Sequence, residues 1–123
     1  MSIPVIKEPI LYVDVDDTLV SWFQGGKGPY DTLVLKSACE TDKVELKIHW
    51  ETVEQIKLHK LRGHSVVVWS AGGAEWANKV VTELGIERLV DAVLAKPSFF
   101  LDDQPATNFM QEHKRRDVRM KDE

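Results

Sequence analysis

The first long apolar segment of the chain ends in a group of acidic residues. Residues 10–13 are apolar, and Asp14, Asp16 and Asp17 follow them with only Val15 in between. A near-continuous apolar run rich in Val and Ile predicts a strand buried on both faces, as in a parallel sheet. Because ligands of open α/β sheets bind beyond the carboxyl ends of the strands, this run also predicts a polar site at its end.

The rest of the pattern alternates between short strands and helices. Three further apolar segments predict strands, namely Ser65–Ser70, Leu89–Leu94 and Ser98–Leu101. Apolar residues line one face of segment 50–62, which predicts a helix that ends at Gly63. A second helix is predicted before Gly85, where apolar residues recur at i, i+3, i+4 and i+7 spacing. A last helix is predicted to begin at Pro105, a favourable first helical position.

The segment 20–48 predicts a small β-hairpin flap. Gly and Pro residues concentrate in 21–31, which indicates turns. Leu33–Ala38 and Val44–Ile48 then predict two short strands. In the second strand apolar residues alternate with charged ones, so one of its faces should be exposed to solvent. We interpret this segment as a flap over the end of the first strand, because it is too short for a separate cap domain.

The alternation of strands and helices predicts the fold class. We expect one α/β domain over residues 1–123, with a Rossmann-like parallel sheet of at least four strands flanked by helices. The four strands would then end at one edge of the sheet. That edge would collect Asp14, Asp16, Asp17, Ser70, Asp102, Asp103 and, just before the fourth strand, Lys96. Crowded carboxylates are costly unless positive charge offsets them, and a divalent cation is the simplest source of that charge.

Composition and charge narrow the classes of function. The net charge of −4 gives no general attraction to nucleic acid or to acidic membranes. The single cysteine, Cys39, cannot form an internal disulfide and suggests a reducing compartment. With no signal-peptide pattern and no stretch long enough to cross a bilayer, we expect a cytoplasmic protein without membrane contact. The charged tail (about 114–123) begins with the basic stretch His113–Arg116. Such a stretch can contact a phosphate backbone, so the sequence is compatible with a nucleic-acid substrate.

The order of the polar residues resembles a known superfamily. The sequence carries Asp-x-Asp-x-Thr (Asp14, Asp16, Thr18), then Ser70, then Lys96, then Asp102-Asp103, each placed next to a predicted strand. This order resembles the four motifs of the haloacid dehalogenase (HAD) superfamily, and it spans residues 10–103. Segments 11–21 and 101–106 are also similar to the branch that contains the polymerase C-terminal-domain phosphatases and the nucleic-acid 3′-phosphatases.

The resemblance implies a phosphatase with a covalent intermediate and a magnesium ion. Asp14 would be the nucleophile and would form an aspartyl phosphate. Mg²⁺ would be held by the Asp14 side chain, the Asp16 backbone carbonyl and Asp103, with Asp102 as a water-bridged or supporting partner. The ion would also ease the approach of the Asp14 carboxylate to an anionic phosphate ester.

The other motif residues would handle protons and phosphate oxygens. Asp16 would protonate the leaving oxygen and later take a proton from the hydrolytic water. Lys96 would offset the charge of Asp14 and of the transferring phosphoryl group. Ser70 and the backbone amides of Ala71 and Gly72 would hold phosphate oxygens near a helix N-terminus. In the same phosphate site, Thr18 would pin the turn by a side-chain to backbone hydrogen bond.

Several alternatives stay open on sequence grounds. A site without a cap favours either a macromolecular substrate that acts as its own lid, such as a nucleic-acid end, or an oligomer whose neighbour closes it. A phospho-acceptor signalling domain or a binding module that has lost turnover are alternatives of another class. Trp22 and Phe23 are expected to pack the flap against the sheet, in preference to stacking on a substrate base.

Overall fold

A computed structural model of the chain describes residues 2–22, 32–36 and 43–112. In chain order the strands and helices are β1 (Ile10–Asp14), β2 (Val20–Trp22), β3 (Thr32–Lys36), β4 (Lys43–Ile48), α1 (Trp50–Leu61), β5 (Ser65–Ser70), α2 (Ala74–Leu84) and β6 (Ala92–Ala95), with short 3₁₀ helices at Glu87–Leu89 and Ala106–Asn108. Phe23, Cys39, the turns of the predicted flap and the tail 114–123 lie outside the described residues.

The main sheet is parallel and has the strand order β1-β5-β6. Its central strand β5 contributes Val66, Val67 and Val68, all buried, which explains why its sequence is an uninterrupted apolar run. The chain runs from β1 through the flap and then helix α1 to β5, and helix α2 connects β5 to β6. Both helices contact β5. The protein is therefore a mixed α/β fold in which a three-stranded parallel sheet is flanked by helices.

Glycines end both helices, as the sequence predicts. Gly63 follows α1 with a φ of 81°, and Gly85 follows α2 in the left-handed conformation with a φ of 73°. After α1, the amide of Gly63 donates to the Lys60 carbonyl and the amide of His64 donates to the His59 carbonyl. This pair of bonds satisfies carbonyls that the end of a helix leaves unpaired.

The flap is a second, antiparallel sheet with the order β2-β4-β3. The predicted hairpin of β3 and β4 is confirmed, and in β4 the residues Val44, Leu46 and Ile48 are buried while Glu45 is exposed. The short strand β2 was not expected. It extends the flap sheet by pairing with the end of β4, and it connects the flap directly to the loop after β1.

The predictions for the segment after β6 are partly wrong. Ser98–Leu101 is not a strand, and its apolar side chains are exposed, with Phe99 at 93% and Leu101 fully exposed. No strand in the described part of the chain pairs with this segment, so it gains no ladder hydrogen bonds. Pro97, directly before it, has no N–H to offer such a ladder. Within the described residues the parallel sheet has three strands rather than the four expected.

Two further boundaries differ from expectation near the same end. The helix predicted from Pro105 is only a 3₁₀ turn, in which the amides of Asn108 and Phe109 donate to the carbonyls of Pro105 and Ala106. The third parallel strand begins at Ala92 rather than Leu89, because Glu87–Leu89 forms a 3₁₀ turn.

Across the ranges 2–22, 32–36 and 43–112, no helix is long and apolar enough to cross a membrane.

Candidate active site

A tight turn directly after β1 sets the positions of the acidic residues. The carbonyl of Val15, a fully buried residue, accepts hydrogen bonds from the amides of Thr18, Leu19 and Val20. Asp17 has a φ of 65°, a left-handed conformation that Asp tolerates better than most residues. Asp17 is exposed at this turn.

The Asp14 carboxylate has one partner on each oxygen. The Lys96 ammonium nitrogen Nζ lies 3.0 Å from Oδ1, and the Thr18 hydroxyl donates to Oδ2 at 3.1 Å. The Thr18 bond therefore goes to a side chain, whereas a bond to the backbone was expected. About a third of the Asp14 and Lys96 side chains is exposed, so a ligand can reach this pair from solvent. The pair holds the carboxylate in a fixed orientation next to a positive charge.

The Asp16 carboxylate is held by a tryptophan of helix α2. The indole Nε1–H of Trp76 donates to Asp16 Oδ1 at 3.3 Å, and Trp76 is only 6% exposed. Asp14 and Asp16 are both half-buried, while Val15 between them is fully buried. This alternation indicates that the two carboxylates lie on the same side of the chain, away from the core. The sequence-based reasoning missed Trp76, because its contact with Asp16 depends on how α2 packs against the turn.

Ser70 and Gly72 form a compact corner at the end of β5. The Ser70 hydroxyl is fully buried and accepts the Gly72 amide at 2.9 Å, and the Ser70 carbonyl accepts the Lys96 amide, also at 2.9 Å. A Cβ on Gly72 would lie 3.3 Å from the Ser70 hydroxyl and 3.4 Å from the Trp76 ring, so this close approach favours glycine. Ala71 and Gly72 are exposed at the sheet edge. In this arrangement the Gly72 amide already has a partner, and the exposed Ala71 backbone lies beside it.

Helix α1 anchors the turn from the other side. The Thr52 hydroxyl donates to the Thr18 carbonyl at 2.5 Å, and the His49 amide donates to the Leu19 carbonyl at 3.0 Å. The buried imidazole of His49 also lies 2.6 Å from the Ser21 hydroxyl on β2. Sequence-based reasoning missed these contacts too. The side-chain contacts of His49 and Thr52 join residues 28 and 34 positions apart, so no local pattern in the sequence indicates them.

The remaining predicted site residues are not gathered with this group. Asp102 and Asp103 are exposed, and Asp102 accepts a hydrogen bond from the Gln104 amide at 3.0 Å. In the part of the chain that the structure describes, no three His, Cys, Asp or Glu side chains are grouped so as to hold a metal ion. The structure thus brings Asp14, Asp16, Thr18, Ser70 and Lys96 to one edge, but it does not assemble the complete magnesium ligand set that the resemblance implies.

Asp91, at the opposite end of the sheet, accepts two hydrogen bonds on one carboxylate oxygen. The Val66 amide and the Lys60 ammonium donate to the same oxygen of Asp91, at 2.8 and 2.9 Å. The backbone hydrogen bond from Val66 and then the bond from Lys60 lower the pKa of Asp91. Because Asp91 directly precedes β6, its hydrogen bonds with Val66 and Lys60 join the start of β6 to β5 and α1. Its place in the fold indicates a structural role.

Comparison with known proteins adds no relative to this description. No protein-family model matches the chain, and no curated protein matches it.

Proposed function

We propose that this protein is a magnesium-dependent phosphomonoester hydrolase of the HAD type, which forms an aspartyl phosphate on Asp14. The observation that carries the proposal is the placement of Lys96 3.0 Å from Asp14, with Thr18 on the other carboxylate oxygen. A carboxylate is a poor nucleophile toward an anionic phosphate ester unless positive charge accompanies it. The described site supplies such a charge at the sheet edge where α/β proteins bind ligands.

The proposed reaction has two steps. In the first, an Asp14 carboxylate oxygen bonds to phosphorus while the bond from phosphorus to the ester oxygen breaks, and Asp16 gives its proton to the leaving oxygen. In the second, a water oxygen bonds to phosphorus and its proton passes to Asp16, while the bond between Asp14 and phosphorus breaks. Inorganic phosphate leaves, and both carboxyl groups return to their starting states.

The surrounding residues support the charge and the geometry of these steps. Lys96 would balance the negative charge that accumulates on the phosphoryl oxygens. Trp76 would orient the Asp16 carboxyl through its indole N–H. The exposed backbone at Ala71 and Gly72, near the start of α2, offers amides for phosphate oxygens, with the Ser70 hydroxyl beneath them. The Gly72 amide would have to exchange its bond with Ser70 to take part.

Magnesium is the proposed cofactor, and the described residues fit it only in part. Asp14 and Asp16 offer hard oxygen donors of the kind that Mg²⁺ prefers. Asp102 and Asp103, the other proposed ligands, are not grouped with them in the described residues. When bound near Asp14, the ion would supply additional positive charge for the phosphoryl group. The proton transfers above do not depend on it.

The test compares Asp14→Asn with Asp17→Asn in a phosphatase screen run with and without Mg²⁺. Both variants replace a carboxylate by an amide of the same shape, but only Asp14 lies against Lys96, and Asn tolerates the left-handed conformation of Asp17. The proposal expects turnover of a generic aryl phosphate to vanish in Asp14→Asn and to persist in Asp17→Asn. Full activity in Asp14→Asn would reject the covalent mechanism. Stoichiometric labelling without turnover would favour the phospho-acceptor alternative instead.

A further inference from the structure

The inner face of the flap sheet carries an exposed aromatic ring at its end. Residues that pair directly across antiparallel strands point to the same face. Trp22 pairs with Leu46, and Val20 pairs with Ile48. Val20, Leu46 and Ile48 are all buried, so this face is turned toward the protein interior. Trp22, at the end of β2, shares the face but is 48% exposed.

Trp22 is connected to the candidate active site through Trp76. The two indole rings lie nearly parallel, at 19°, with centroids 6.5 Å apart. At that separation the rings are offset, so that much of the Trp22 face stays uncovered by Trp76. Trp76 in turn donates its N–H to Asp16. An exposed aromatic ring therefore borders the indole that holds the Asp16 carboxylate.

We infer that Trp22 is a stacking platform that selects phosphorylated nucleotides, with the base lying against its exposed face. This inference rests on the proposed function, and it names the substrate class of the same site. The sequence predicts that Trp22 packs the flap against the sheet, whereas the ring stacks with Trp76 of helix α2. The half of the ring left in solvent is what allows a second, ligand-binding role.

The position of the platform favours a nucleotide over an aryl phosphate ester. In an aryl phosphate or a phosphotyrosine, the aromatic ring bonds directly to the phosphate oxygen and would lie against Asp14 and Asp16. Asp16 meets the N–H edge of Trp76, whereas Trp22 stacks on the face of the same indole. A substrate that reaches both places needs a spacer between its phosphate and its planar group, and the sugar of a nucleotide is such a spacer. Both a free nucleotide and the end of a nucleic-acid strand contain this unit.

The first experiment measures specificity as a ratio. Hydrolysis of adenosine 5′-monophosphate and of a 3′-phosphorylated dinucleotide is compared with hydrolysis of ribose 5-phosphate, which lacks a base. Stacking of a base on an aromatic side chain corresponds to roughly fivefold to a hundredfold in affinity. We expect wild-type protein to prefer the better of the two base-containing substrates by at least about fivefold in kcat/KM. Which of them is preferred distinguishes a free nucleotide from a strand end.

Two substitutions of Trp22 test whether this residue causes the preference for base-containing substrates. Trp22→Ala is expected to remove most of it, and Trp22→Phe to retain part of it, because a smaller ring still stacks. The matched control is Val34→Ala on β3. Val34 pairs with exposed Glu45 and is itself exposed, so it lies on the opposite face of the flap. An equal preference in wild type and Trp22→Ala, or an equal loss in Val34→Ala, would overturn the inference.

A binding measurement separates this inference from the proposed reaction. Asp14→Asn protein, with and without Trp22→Ala, is titrated by calorimetry with adenosine 5′-monophosphate and with ribose 5-phosphate. Nucleotide binding that is tighter than sugar-phosphate binding and depends on Trp22 supports the platform, even if no substrate is ever hydrolysed. If wild-type protein hydrolyses ribose 5-phosphate or a phosphotyrosine peptide as fast as the nucleotides, the platform is rejected while the proposed reaction stands.

Discussion

Lys96 and Asp14 meet across the full width of the parallel sheet. Asp14 ends β1 and Lys96 follows β6, and these two strands form opposite edges of the order β1-β5-β6. The Lys96 ammonium nevertheless lies 3.0 Å from Asp14 Oδ1, because the Lys96 amide is bonded to the carbonyl of Ser70 at the end of β5. The end of the middle strand thus serves as the support from which the lysine reaches the aspartate.

Lys96→Ala should lower activity far more than stability. Removing the ammonium leaves the Asp14 carboxylate and a phosphate ester to repel each other, so kcat/KM for an aryl phosphate should fall by about a hundredfold or more. The ion pair is partly exposed, so the free energy of unfolding should fall by less than about 1 kcal/mol. Steady-state kinetics and urea unfolding measure the two quantities. The control is Lys57→Ala, which removes an exposed lysine of α1. A loss of kcat/KM below about tenfold in Lys96→Ala would exclude direct contact between Lys96 and the reacting group.

Thr52→Val should loosen the turn that carries the acidic residues. The substitution keeps the shape of the side chain but removes the hydroxyl that donates to the Thr18 carbonyl, and Thr52 is buried. We expect a loss of about 1 kcal/mol in the free energy of unfolding, together with lower kcat, because Thr18 holds Asp14. Thr82→Val makes the same change at an exposed position of α2. A stability loss no larger than that of Thr82→Val would contradict the anchoring role.

Trp76→Phe should lower turnover because Asp16 loses the hydrogen bond that orients it. The variant keeps an aromatic ring in the core but removes the N–H that donates to Asp16 Oδ1. With that hydrogen bond worth about 1 kcal/mol, kcat for an aryl phosphate, which carries no base to stack on Trp22, should fall about fivefold. Trp69→Phe is the chemical control, since the Trp69 ring packs against Tyr12 on the sheet. An unchanged kcat in Trp76→Phe would show that Asp16 does not need this donor.

Asp91 should make stability fall in acid. Its pKa in the folded protein is held below the ordinary value of 3.8 by the Val66 amide and by Lys60. The stabilisation is therefore complete at pH values above 3.8 and is lost as the pH falls through the lowered pKa. We expect Asp91→Asn to cost about 1 kcal/mol at pH 7, a modest value because water screens the Lys60 pair.

Urea unfolding of wild type and Asp91→Asn between pH 7 and pH 3 measures this linkage. The difference between the two proteins should stay constant down to about pH 4 and shrink below it. Glu54→Gln, which breaks an exposed pair with Lys57 within one helix, should show a much smaller difference at pH 7. A difference for Asp91→Asn that grows in acid would have the wrong sign for a lowered pKa.

The parts of the fold that local chemistry controls could be predicted from the sequence. Gly63 and Gly85 end their helices because a left-handed residue is needed there, and a glycine adopts that conformation at little cost. Strand β5 could be predicted because a strand covered on both faces favours a continuous apolar run, which here is residues 66–69. The polar residues at the carboxyl ends of β1 and β5 follow from the same reasoning, since parallel strands end together.

The parts that depend on distant partners could not be predicted. Ser98–Leu101 has a strand-like composition, but a strand also needs an edge to pair with, and composition does not reveal whether one is offered. Strand β2 is too short to produce a pattern and exists because the end of β4 lies beside it. The contact from Trp76 to Asp16 likewise requires helix α2 to pack against the turn after β1. Each of these features is decided by tertiary structure rather than by the segment itself.

The three amides that converge on the Val15 carbonyl make the length of this turn as important as its composition. Inserting or deleting one residue between Val15 and Val20 would rotate Thr18 away from Asp14 and shift every later side chain of β2 to the opposite face. Point substitutions at the exposed position 17 leave that count unchanged. In a mutational library, nearly all insertions and deletions between Val15 and Val20 should therefore be eliminated, whereas position 17 should accept residues that tolerate a positive φ, such as Asn and Gly.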